Sequence, residues 1–303
     1  MPHEIDRILS AAGSGTWLIE PVKGAQIASV LALRAHGLSS DWAGELNQPV
    51  YAADSIAGRS GAVHVLKLHG TIMPRGGMMS RMSGASTLDQ FQKAFLRAAD
   101  DQSAQAIVLE IDSPGGMVDQ VPETAAMIYA SRRAGRPIIA VANTVAASAA
   151  YWIAAACDEI VVTPSGVVGS IGVYTMHDDI SGALEKQGVK RTVIFEGDRK
   201  TEGSPHTAMS KDALAARQAE VKYTYDMFSA NVAKYRGVPV AVVRADPEKA
   251  ETHFGGGRSY HAKDALRLGM VDRIATFDDT LMRAARGGRK RRINLAQKRL
   301  SLI

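Results

Sequence analysis

The chain has 303 residues, 46% of them hydrophobic and 22% charged, with 28 glycines and 11 prolines in no fixed period. Those proportions suit a globular chain with one large domain or two modest ones, and they exclude a mainly disordered, collagenous or low-complexity protein. The net charge is +5, yet residues 283–303 hold eight Lys/Arg and no acid, which leaves −3 for residues 1–282 and confines the basic character to a tail.

Residues 1–58 read as an N-terminal helical arm and linker. MPHEIDRILSAAGSG has no apolar run long enough for a secretory signal. WLIEP is too short to assign, and IASVLALRAHG (27–37) has the spacing of a short amphipathic helix ended by Gly37. VHVLKLHGTI (63–72) alternates as a strand, and GGMMSRMSGAS (76–86) is a Gly/Met/Ser loop.

The body, residues 59–282, then alternates strands and helices. STLDQFQKAFLRAADD (86–101) is a helix, QAIVLEI (105–111) a strand closed by DSPGG, and residues 117–135 the next helix. PIIAVA (137–142) is a strand, joined by a polar NTV to the helix AASAAYWIAAACD. EIVVTP (159–164) is a strand before the Gly-rich VVGSIGVYTM, residues 180–190 are a helix, and RTVIFEG (191–197) is a strand. A long helix spans 211–237 and stops at Gly237, and AKDALRLGMVDRI is a helix turning into a short strand. This alternation predicts an α/β protein with largely parallel pairing.

Pro137–Cys157 is 21 residues without a charge, long enough for a bilayer span. It contains Asn143, Thr144 and Ser148, is rich in weakly apolar Ala, and divides into a buried strand feeding a buried helix. We therefore expect no integral membrane segment and a cytoplasmic protein. Cys157 is the lone cysteine, which excludes an intramolecular disulfide or a multi-thiolate zinc site, and it reads as a small buried apolar residue. Eight histidines form no HExxH and no close His/Cys pairing, so a metal site is not indicated. The tail RGGRKRRINLAQKRL reads as a solvated terminus, with nucleic-acid contact the lesser alternative.

Two strand-to-helix junctions carry groups suited to chemistry. In Asp112-Ser113-Pro114-Gly115-Gly116 the two glycines permit a tight turn and leave amides unshielded, a setting for an oxyanion and equally for a plain β–α turn. In the second, Ser148 is a single hydroxyl in a run of alanines at a helix start. Its small neighbours admit a substrate backbone, and the amide of Ala149 points the same way; the alternative is a serine capping its own helix. A serine nucleophile needs a base. His177 and His206 lie nearest in sequence but in no motif, whereas Lys200 in GDRKTEGSP sits in a Gly-bounded loop, where most lysines are merely solvated.

Taken together and in order, IVLEIDSPGG, VANTVAASAAYWIAAACDEI, SGVVGSIGV and GDRKTEGSP resemble the signal peptide peptidase A family of serine proteases, across about residues 60–280. The resemblance implies a Clp protease/crotonase-like spiral of ββα units. It implies Ser148 as nucleophile, Lys200 as general base, Ser170 as the hydroxyl that orients Lys200, and the backbone amides of Gly116 and Ala149 as the oxyanion hole. It further implies a homo-oligomer that needs no metal or other cofactor. WLIEPVKGAQIASVLALRAHG resembles the N-terminal segment of the phage and prophage members, which implies a head maturation protease acting on a capsid or scaffold protein. The alternatives are a catalytically silent capsid assembly protein of the same fold, a crotonase-type acyl-CoA enzyme, and a membrane-associated signal peptide peptidase. The family commonly has two glycines after the nucleophile, where this chain has Ala149 and Ala150, which narrows the pocket but keeps the amide.

Overall fold

A computed structural model describes residues 17–19, 54–58, 61–76 and 86–286. The expected helix at 27–37, most of the 76–86 loop and the basic tail from 287 onward lie outside the described residues.

Among the described residues two sheets organise the chain. The larger has eight strands, with β2 (Asp54–Gly58), β3 (Gly61–His69), β6 (Ala106–Ser113), β8 (Ile138–Ala147), β10 (Val167–Gly169) and β11 (Ser259–His261) in that lateral order; β9 (Glu159–Val162) also pairs with β8, and β12 (Arg273–Ile274) pairs with β9. β3, β6, β8, β9 and β10 pair in parallel, while β2 and β11 are antiparallel edges. The smaller sheet has four strands in the order β1 (Trp17–Ile19), β7 (Gly115–Met117), β4 (Ile72–Met73) and β5 (Ser86–Thr87). The α/β class with mostly parallel pairing is the one the alternation predicts.

The near-continuous apolar runs of β6 and β8 follow from burial on both faces. One face carries Leu66, Leu68, Ile107, Leu109, Ile111, Ile138 and Ala140 into the main core, with α1 (Leu88–Asp100), α2 (Val121–Ala130), α3 (Ala149–Ala155) and α5 (Lys211–Arg236). The other carries Val63, Val65, Val108, Val141 and Val161 against Phe277, Leu281, Ala284 and Ala285 of a helical segment, 277–286. β2 pairs with β3 across the 58/59 border, and Ala284 and Ala285 join this face beyond the 282/283 border.

Helix ends follow local chemistry. α1 buries Leu88, Phe91, Phe95 and Ala98, one stripe at helical spacing. At the start of α5 the Ser210 side chain accepts from the Ala213 amide at 3.1 Å, and the helix ends at Gly237 in the left-handed region, where Val238 N donates to Ala233 O at 3.0 Å. Two short helices, α4 (Ser181–Lys186) and α6 (Val240–Arg244), flank it, and α7 (Ala262–Arg267) follows β11.

Three sequence expectations are corrected. The helix expected from 117 starts at Val121, because Gly115–Met117 is drawn into the smaller sheet. The NTV joint belongs to β8, because Val145–Ala147 finds a partner in Val167–Gly169. RTVIFEG forms no strand: no sheet edge takes its ladder, and residues 191–197 are all exposed, Ile194 at 94%. A β-branched and aromatic run becomes a strand only where a neighbour accepts its hydrogen bonds.

Candidate active site

β8 is shared laterally. Ile139–Ala142 pairs with β9, and Val145–Ala147 pairs with β10, so the strand delivers the start of α3 beside the end of β10. On its other side Ser113 pairs with Ala146, which sets the DSPGG turn next to the same junction. The carboxylate of Asp112 ties the two together, its Oδ1 accepting from the amides of Thr144 at 3.3 Å and Val145 at 3.2 Å.

Ser148 caps α3 with φ 54° and ψ −117°, outside the helical region and on the left-handed side of φ. Its amide donates to Gly169 O at 2.7 Å, and its carbonyl accepts from Trp152 N at 3.0 Å. The side chain does not cap the helix: Ser148 is 1% exposed and its Oγ has no hydrogen-bond partner. Leaving a buried hydroxyl unsatisfied costs about 1–3 kcal/mol, so the alternative of a self-capping serine finds no support here.

The helix behind Ser148 is rigidly held. Every residue from Ala149 to Ala155 is buried, Trp152 stacks on Phe228 at 4.5 Å and 7°, and Tyr151 Oη donates to Met270 O at 2.8 Å. Burial pushes the Tyr151 hydroxyl and the Cys157 thiol well above their ordinary values, so neither offers an anion. Cys157 is a buried apolar residue just beyond α3.

Ser170 lies one residue past β10, with φ 53°, and is buried. Its amide donates to Arg258 O at 2.8 Å, and its carbonyl accepts from Gly172 N at 2.9 Å. Because Gly169 pairs with Ala147, Ser170 and Ser148 leave the sheet side by side.

Gly116 is fixed by space. A Cβ there would lie 1.9 Å from Ile72 O, so only glycine lets β7 approach β4. Gly115, at φ 102°, donates its amide to Ser113 Oγ at 3.1 Å and makes the turn into β7. Ala149 is the first residue of α3, where the helix provides no acceptor for the amide.

The structure thus gathers Ser148, Ser170, Ala149 and the Gly115-Gly116 turn around the ends of β6, β8 and β10. It does not bring Lys200 to them. Lys200 is exposed in a turn where its amide donates to Gly197 O at 2.9 Å, and Ser148 Oγ receives nothing from it. Neither histidine substitutes for it. The His206 ring is engaged by Arg191, and desolvation and then that cation lower its pKa, while His177 Nε2 is buried without a partner. Reading by motif missed two contributors, the Asp112 carboxylate and the Arg258 carbonyl. Only the fold reveals them, since each acts on a backbone amide far away in sequence.

Comparison with known proteins gives the family. The profile of peptidase family S49 matches residues 130–290, and the chain belongs to that family. Capsid assembly protease C of Escherichia phage lambda is 31% identical over 91% of this chain and 60% of its own length. The head-tail preconnector protein GP5 of Enterobacteria phage P21 is 29% identical over 72% of this chain and 42% of its own. Protease 4 of Salmonella typhi is 29% identical over 78% and 36%. The chain therefore spans between 36% and 60% of the length of these relatives. Among the described residues no helix is long and apolar enough to cross a membrane.

Proposed function

We propose that this chain is a serine endopeptidase of the Ser/Lys type that processes a capsid or scaffold protein during phage or prophage head maturation. The observation that carries the reading is Ser148 Oγ, buried and without a partner on a left-handed backbone position at the start of α3. A hydroxyl held so, with no structural bond to make, suits attack on a carbonyl. The names of the lambda and Salmonella relatives support a protease, and the lambda name supports a head protein as substrate.

In this reading Ser148 Oγ attacks the scissile carbonyl and Lys200 Nζ takes its proton. The amides of Gly116 and Ala149 hold the oxyanion, where one lost donor costs about 3 kcal/mol. The proton passes to the leaving amine, and water, activated by the same lysine, frees the acyl-enzyme. Ser170 orients the amine. A lysine acts as base only when neutral, and desolvation favours the neutral form. In this reading the exposed segment 189–200, with Val193, Ile194 and Phe195 on its surface, packs onto a neighbouring copy of the chain and carries Lys200 to that copy's site.

The test is cleavage of an unstructured polypeptide by wild type, Ser148→Ala, Lys200→Ala, and an equimolar mixture of the two variants. Each variant alone is inactive. Recovery in the mixture assigns the lysine to a neighbouring copy, and substantial activity of Lys200→Ala alone removes it as the base.

A further inference from the structure

β7 has two edges. One pairs with β4 through Ile72 and Gly116, and the other pairs antiparallel with β1, placing Trp17 opposite Met117, Leu18 opposite Gly116 and Ile19 opposite Gly115. Among the described residues β1 has no other sheet partner and ends the smaller sheet. Three residues drawn from almost a hundred positions upstream thus fill the edge beside Gly116, and α3, headed by Ser148, packs against the same strand. Ile19 is 3% exposed, so the pairing also seats an aliphatic side chain.

A free strand edge is a general receptor for an extended peptide: main-chain hydrogen bonds give affinity, and alternate side chains give selectivity. We propose that the outer edge of Gly115–Met117 is where the polypeptide substrate lies, and that Trp17–Ile19 is a built-in occupant of that place which the substrate must displace. The proposal rests on the reading of Gly116 and Ser148 as parts of a peptidase site. The ligand class follows from the occupant: an extended, uncharged stretch of chain running antiparallel to β7, with an aliphatic side chain at the position of Ile19. A strand of three residues contributes few ladder bonds, so an incoming segment with a longer match competes well. Occupancy in cis lowers the apparent affinity for substrate by the fraction of time the edge is filled.

The test separates binding from catalysis by using full-length Ser148→Ala protein and the blocked peptide Gly-Thr-Trp-Leu-Ile-Glu-Pro, the chain's own residues 15–21. Fluorescence anisotropy measures the peptide's affinity for Ser148→Ala and for Ser148→Ala carrying Ile19→Asp, which removes the buried aliphatic anchor. The expected result is binding at least about tenfold tighter to the Ile19→Asp protein. Equal affinity, or no binding to either, overturns the proposal. Hydrogen exchange gives a second readout with β1 intact: saturating peptide should speed exchange at Trp17–Ile19 while Gly115–Met117 stay protected. Protection retained at both segments with peptide bound also overturns it. Neither readout needs turnover, so a protein that binds the peptide in this way but cleaves nothing would contradict the peptidase reading alone.

Discussion

Ser148 and Ser170 leave neighbouring parallel strands side by side, each one residue past a paired position, with φ values of 54° and 53°. Non-glycine residues seldom occupy that region, and holding one there costs about 1–3 kcal/mol. Two such residues at adjacent strand ends aim both hydroxyl-bearing side chains away from the regular sheet and helix geometry. Replacing Ser148 by glycine relieves the backbone, whereas alanine keeps the strain. Thermal unfolding should find Ser148→Gly more stable than Ser148→Ala by about 1 kcal/mol, with neither variant active. A less stable glycine variant would show that the backbone there is unstrained.

Gly116 touches both stability and chemistry. The missing Cβ makes room for the Ile72 carbonyl, and the amide is a candidate oxyanion donor. Gly116→Ala should lose about 2–3 kcal/mol in denaturant unfolding and lower turnover by at least about a hundredfold. Gly182→Ala serves as the control: it lies in α4, its new methyl meets nothing within 4 Å, and it should be neutral or slightly stabilising.

Lys200 offers a clean separation of roles, because an exposed side chain can be removed without disturbing the core. Lys200→Ala should unfold within about 0.5 kcal/mol of wild type and yet lose turnover. Combined with Ser148→Ala it should cost no more than either change alone, since the pair acts as one unit.

The far end of α5 carries a measurable pH dependence. Arg236 forms two bonds to Asp272, at 2.8 and 2.9 Å, and the Asp272 carboxylate also accepts from Ile160 N at 2.7 Å. Burial opposes ionisation of Asp272, but the guanidinium and the amide outweigh it and hold its pKa below the ordinary carboxylate value. A depressed pKa contributes stability above the unfolded value of about 3.9, and that contribution is lost as pH falls through the folded value. Asp272→Asn should therefore cost about 1–2 kcal/mol near neutrality, less than for a fully buried pair because the carboxylate is partly exposed. The difference from wild type should shrink below about pH 4; a gap that persists there would mean that shape rather than charge holds the clamp.

Much of this architecture was legible because burial on both faces writes itself as unbroken apolar runs, as in QAIVLEI and PIIAVA. The Ser148 junction was legible for a related reason: buried alanines flank it on both sides, Ala146, Ala147, Ala149 and Ala150, and a hydroxyl among them stands out. What local pattern could not carry was partnership across sequence. WLI is too short to declare itself, and its register on Gly115–Met117 depends on strands about a hundred residues apart. RTVIFEG has the β-branched and aromatic content of a strand but no edge to join among the described residues. The adjacency of Ser148 and Ser170 likewise comes from the register of β8 on β10, which no spacing along the chain encodes.

The most direct test of the central claim is incubation of purified wild type and Ser148→Ala with phage capsid and scaffold proteins, followed by intact mass measurement. Discrete fragments with wild type and none with Ser148→Ala are the predicted result, and their masses give the cleavage sites. The same fragments from both proteins would mean that Ser148 is not the nucleophile, and the account would fall.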